Sequence, residues 1–279
     1  MTPVADIPSA WPLVGLATAV LGGAAALWWQ PAWREWRRAR LRAQPFPAAW
    51  RRILRRRVPL VAHLPADLQQ RLKGHIQVFL AEKPILGCQG QRVGDDQRVT
   101  IAAQACLLLL GEARPDYFPA LRQVLLYPGA FVVDRVRPQP DGVQQSQRQV
   151  LSGESWQQGQ VILSWADSAA GAAVADDGQN VVLHEFAHQI DQDSGRADGR
   201  PWRPSRALRR RWDAVMGEAF ARHRAQPSAL LGDYAATDPA EFFAVATELF
   251  FERPRALAEV EPAVYAELSA LYRVHPLVW

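Results

Sequence analysis

In the run Asn180-Val181-Val182-Leu183-His184-Glu185-Phe186-Ala187-His188-Gln189-Ile190-Asp191, two histidines stand four residues apart and a glutamate follows the first. On an α-helix, positions i and i+4 lie one above the other. His184 and His188 can therefore share one metal ion while Glu185 faces the open coordination position. The chemistry open to such a set is metal-assisted hydrolysis of a peptide. Zinc lowers the pKa of its bound water to roughly 7, and a carboxylate beside that water takes its proton as the water attacks a carbonyl. Glu185 thereby reads as a general base and not as a ligand. Val182, Leu183, Phe186, Ala187 and Ile190 give the segment an apolar stripe, and Asp176 or Asp177 followed by Gly178 is a suitable helix start.

A third ligand has to come from elsewhere in the chain. In the metzincin pattern, a Gly stands three residues after the second His and a His or Asp three further on. Asp191 and Ser194 occupy those places, which excludes that pattern. Downstream, Tyr234 to Glu248 offers Glu241 and Glu248. They are seven residues apart and share a helical face, so spacing does not choose between them. Asp238 with Glu241 also fits a capping box with Pro239 at the first helical position, and Glu248 and Glu252 also read as solvated charges. Asp191 is a candidate partner for a ligand histidine, or for backbone at the helix end.

Together these motifs resemble the Mlc titration factor A family of bacterial zinc peptidases, which is related to the gluzincins. The resemblance rests on residues 184–191 and on Asp233-Tyr234-Ala235-Ala236-Thr237-Asp238-Pro239-Ala240-Glu241-Phe242-Phe243-Ala244-Val245. Tyr127 to Val133 and Ser152 to Trp156 add to it, and it covers roughly residues 45–275. It implies one Zn²⁺ per chain held by His184, His188 and Glu241, with Tyr234 polarising the substrate carbonyl. It also implies aminopeptidase-like action on short peptides and binding of the sugar-responsive repressor Mlc. Two functions of different class follow: a peptidase acting on a peptide or protein substrate, or a non-catalytic module that sequesters a repressor.

The remaining sequence must position these groups. A chain of 279 residues, 49% hydrophobic, is long enough for one good-sized domain. The first 57 residues carry ten Arg against Asp6 and Glu35, so a chain of net charge +4 has a body of net −4. That balance argues against direct nucleic-acid binding. Cys88 and Cys106 read as thiols of a reducing compartment.

Residues 11–29 carry no charge, have Trp at both ends, and are followed by Arg34, Arg37, Arg38, Arg40 and Arg42. This predicts a transmembrane helix over about 11–30, within an anchor and basic juxtamembrane segment at residues 1–43 and before a peptidase domain at 44–279. The positive-inside rule places that domain on the cytoplasmic side of the inner membrane; a cytoplasmic protein is the alternative.

Within the domain, helices are expected over 48–57, from Leu64 through Lys83, over 99–110, over 205–226, from the Glu241 region to about Arg253, and over 262–274. Strands are expected at 123–127, 130–134, 148–152 and 160–165, with a turn at Pro138-Gln139-Pro140-Asp141-Gly142. The order predicts an α+β, zincin-like metallopeptidase domain with a small mixed sheet. Zinc peptidases pair substrate with an edge strand beside the metal helix. Gln160 to Trp165, with Val161, Leu163 and Trp165, is the candidate for that role.

Overall fold

The structure is a computed structural model that describes residues 11–138, 144–151, 153–156, 159–193 and 195–279; the turn expected at 138–142 falls largely outside them. The chain divides at Gln44/Pro45 into two compact units. The first holds α1 (Trp11–Arg42), a helix of 32 residues with Pro31 inside it. Many of its side chains before Trp28 lie outside the described set. Among the described residues no helix is long and apolar enough to cross a membrane, so the span expected over 11–30 finds no support there.

The second unit begins with α2 (Ala48–Arg57), the short α3 (Leu60–His63) and α4 (Ala66–Glu82). Strand β1 (Ile85–Gly87) and helix α5 (Asp95–Leu107) follow, then β2 (Gln123–Tyr127), β3 (Phe131–Pro138), β4 (Gln144–Leu151), β5 (Gly153–Trp156) and β6 (Gln160–Ser164). After them come α6 (Trp165–Ala173), α7 (Val181–Gln192), α8 (Arg206–Ala225), α9 (Pro239–Glu252), α10 (Pro254–Val260) and α11 (Pro262–Tyr272), with a 3₁₀ turn at Asp233–Ala236. The α+β expectation holds. Every helix expected in this unit is present, although α5 starts four residues earlier than its apolar run. The strand β1 and the helices α3, α6 and α10 are too short to show a period.

One sheet has the order β1-β2-β6-β5, with β1, β2 and β6 parallel and β5 antiparallel to β6. Here a sequence expectation fails. β6 is hydrogen-bonded on both sides, so it cannot accept an extended substrate. Val161 and Leu163 are fully buried, and Trp165 belongs not to the strand but to the first turn of α6, with the Arg57 guanidinium 5.9 Å from its ring. The run Val161-Ile162-Leu163 carried the warning: a strand apolar on both faces is a central one. The edges are β1 and β5, and β5 is the one that lies against α7. β3 and β4 form a separate antiparallel hairpin.

The core fixes α7 from the face opposite its histidines. Phe186 is fully buried, with its ring centroid 4.8 Å from Phe118 and 5.7 Å from Phe79 of α4. Such aromatic clusters combine large buried area with specific geometry. Phe186→Ala is therefore expected to cost about 3–5 kcal/mol in urea unfolding, because it removes a fully buried ring from between α4 and α7 and leaves a cavity.

Candidate metal centre

The local sequence shapes the metal helix at both ends. Asn180 caps α7, its side-chain oxygen accepting from the Leu183 N–H at 3.0 Å. The helix therefore begins at Val181, three residues after Gly178, and its cap is Asn180, not Asp176 or Asp177. Gly178 has a φ of +79°, and a Cβ there would lie 2.7 Å from the Leu249 side chain, so this turn needs glycine. Asp238 caps α9, its carboxylate accepting from the N–H groups of Ala240 and Glu241, and Pro239 follows at the first helical position. The cap is as expected. The Glu241 side chain points to the histidines of α7.

His184 Nε2 lies 2.9 Å from Glu241 Oε2 and 3.2 Å from His188 Nε2, and His188 Nε2 lies 3.4 Å from the same Glu241 oxygen. A tetrahedral ion with bonds of about 2.0–2.1 Å would hold its ligands roughly 3.3–3.4 Å apart, so the three atoms already sit close to the edges of such a tetrahedron. Two imidazole nitrogens facing each other at 3.2 Å can share at most one proton, and a cation between them suits both lone pairs. His184, His188 and Glu241 thus form a group that could hold a metal ion. Both histidines are buried, while the Glu241 side chain keeps 20% of its exposure. Glu185 is 5% exposed on the helix between the two ligands, and the Tyr234 ring, on the Asp233–Ala236 turn, stands 5.8 Å from that of His184.

Glu248 was one of two candidates for the third ligand. The structure puts it on the other side of the same ring, with Oε1 2.8 Å from His184 Nδ1. Its second oxygen accepts the backbone N–H of Asn180. One turn further along α9, Glu252 accepts from Asn180 Nδ2 at 2.8 Å and from the Gly178 N–H at 3.1 Å. Neither glutamate is a solvated charge, as the sequence also allowed; both are buried. Their carboxylates sit at the N-terminus of α7, where the helix dipole favours negative charge. Asp191 holds the chain beyond α7: Oδ2 accepts from the Gly199 N–H at 2.7 Å, and Gly199 O in turn accepts from Trp212 Nε1 at 2.8 Å. His188 Nδ1 has no hydrogen-bond partner among the described residues. The carboxylate hydrogen-bonded to a ligand ring is thus Glu248, while Asp191 takes the backbone role that the sequence also allowed.

Electrostatics follow this layout. Burial disfavours a charge on His184, yet the carboxylates of Glu241 and Glu248 on its two nitrogens raise its pKa well above the ordinary range. Burial also opposes ionisation of Glu241, but the two imidazoles hold it well below the usual carboxylate range. Burial raises Glu252 to about 8 against its donors from Asn180 and Gly178. An acid raised in the folded state keeps a proton that the unfolded chain gives up. Stability is therefore expected to fall as pH climbs from the unfolded value of 4.5 to about 8, by at most about 1.4 kcal/mol per pH unit. Glu252→Gln, which mimics the protonated acid, should flatten that fall; urea midpoints across the window, taken in chelator, measure it.

An α+β fold with this sheet, and a helix whose two histidines meet a glutamate from a second helix, fit a protein of the metallopeptidase class. The chain belongs to the glucose-regulated metallo-peptidase M90 family, whose family model matches residues 33–273. It is 37% identical over 273 residues to an uncharacterized protein of Synechocystis sp., covering 96% of this chain and 98% of that one. It is 35% identical over 226 residues to Mlc titration factor A of Salmonella typhi, covering 78% of this chain and 84% of that protein. The same identity and length apply to Mlc titration factor A of Salmonella arizonae, of which 88% is covered. These relatives bear out the family resemblance read from the sequence.

Proposed function

We propose that the chain is a zinc-dependent peptidase with His184, His188 and Glu241 as ligands. The observation that carries this reading is the near-tetrahedral spacing of three ligand atoms with Glu185 beside them. When bound, the ion supplies Lewis acidity and brings the pKa of a water to about 7. Glu185 takes the proton of the attacking water and passes it to the leaving amine. Tyr234, more than half exposed near His184, donates a hydrogen bond from its hydroxyl to the developing oxyanion. Glu248 fixes the tautomer of His184 by accepting at Nδ1, leaving the Nε2 lone pair for the metal. The free edge of β5 pairs with the extended substrate backbone.

Hydrolysis of aminoacyl and longer peptide reporters by the full chain, before and after chelation and zinc return, tests the reading. Activity indifferent to chelation rejects it, and preference for free N-termini supports aminopeptidase action. Glu248→Ala is expected to weaken zinc about 10–100-fold in a chelating-dye competition, with the fold retained.

The relatives' name supports a second role, capture of a transcriptional repressor of the Mlc kind. Retained capture by Glu185→Gln would make binding independent of cleavage. Attachment of the domain to the cytoplasmic face of the inner membrane rests on the uncharged run at 11–29 and the arginines after it. Release of the protein from membranes by alkaline carbonate would reject it.

A further inference from the structure

A cavity of about 620 Å³ opens elsewhere in the second unit, a size typical of small-molecule sites. It takes Ile190 and Asp193 from the end of α7 but none of His184, His188 or Glu241. At 100° per residue, Ile190 stands about 160° round the helix from His188, so the cavity lies behind the metal helix. Tyr117, Phe118 and Trp202 supply apolar wall.

Acids and bases both line it: Asp116, Asp193, Arg203, and Arg273 with its ion-pair partner Glu112 at 3.6 Å. Burial raises the Asp193 carboxyl to about 6, with the charge of Asp116 adding to the effect. Lys83 opposes this, but its ammonium is held by the carbonyls of Phe118 and Leu121 at 2.7 and 2.6 Å. Arg203 is 3% exposed, and burial lowers its pKa, with Arg211 and Arg273 repelling it. Its Nε has no hydrogen-bond partner among the described residues, and the nearest carboxylate in an ion pair with it, Glu267, stands at 3.7 Å. A cation beside Asp193 would ease the burial of its charge, and an acceptor beside the Arg203 Nε would satisfy that donor. The backbone points to the same place. Of the four described non-glycine residues with left-handed φ, Tyr117, Phe118 and Arg273 all line this cavity. Such strain concentrates where ligands bind.

We propose that the cavity binds a small zwitterion with an apolar body, an apolar amino acid or dipeptide, its ammonium facing Asp193 and its carboxylate facing Arg203. The ligand then touches the last turn of the metal helix from behind. The assignment does not depend on the peptidase reading; where both hold, the ligand belongs to the class of product that peptide hydrolysis releases.

Calorimetric titration of the full chain with L-leucine tests this, with N-acetyl-L-leucinamide as the uncharged analogue. L-leucine is expected to bind wild type and His184→Ala with the same affinity, and the analogue at least about tenfold more weakly. Ala270 is an exposed residue of the cavity wall, so Ala270→Trp fills the space without disturbing the core. It should weaken L-leucine at least about tenfold while leaving zinc content and circular dichroism unchanged. Chelated wild type replaces His184→Ala if that chain does not fold. Binding lost on removing the metal site but untouched by Ala270→Trp would place the ligand at the metal and overturn the proposal. So would equal affinity for the uncharged analogue, or no binding of L-leucine up to about 10 mM.

Discussion

Glu185→Gln is expected to bind as much zinc as the wild-type chain and to cleave peptides about 10²–10⁴-fold more slowly. The substitution keeps shape and hydrogen-bonding reach but cannot accept a proton. Glu185 is 5% exposed and no ligand atom of the metal group belongs to it, so the loss should appear in kcat and not in metal content. Metal analysis alongside steady-state kinetics measures both. A rate within about tenfold of wild type would remove Glu185 from the reaction. Zinc lost together with activity would instead make the residue part of the metal's support.

Removing the metal should be felt by the whole domain. Zinc bound only by the folded chain adds about 4 kcal/mol at a thousandfold excess over its dissociation constant, so chelation is expected to lower the unfolding midpoint by several degrees. In His188→Ala the chelator should change nothing. The effect has a pH sign as well. Without metal, His184 sits between Glu241 and Glu248 with its pKa well above the ordinary imidazole value, and so carries a proton that zinc must displace. Zinc uptake should release that proton, and affinity should weaken as pH falls. Differential scanning in buffers of different ionisation enthalpy checks the stability, and calorimetric uptake checks the proton.

Most of the metal centre was legible because helical geometry is exact at short range. Four-residue spacing placed His184 over His188, and seven-residue spacing placed Glu241 and Glu248 on one face. What spacing alone could not say was that both glutamates are used, one at each nitrogen of a single ring; that depends on how α9 crosses α7, which is tertiary information. The buried state of Glu252 was hidden for the same reason. For Asp191 the sequence left ring and backbone open, because the partner that decides it, Gly199, lies in a loop whose path no periodicity describes. The edge strand was misplaced through pairing order: the chain runs β5 then β6, yet β6 inserts between β5 and β2. The shortness and mixed polarity of Gly153-Glu154-Ser155-Trp156 match an edge strand, a signal present in the residues themselves.

α9 supplies the carboxylate of the candidate metal group, the carboxylate that holds the His184 ring from its other side, and a further carboxylate that braces the start of α7, all from one rigid rod. Sliding or rolling that rod would disturb charge, tautomer and cap together, so the centre should fail in one step and not by degrees. Zinc retention then becomes a gauge of how the C-terminal helices are seated, and whatever loosens their packing would switch off the chemistry without approaching the substrate.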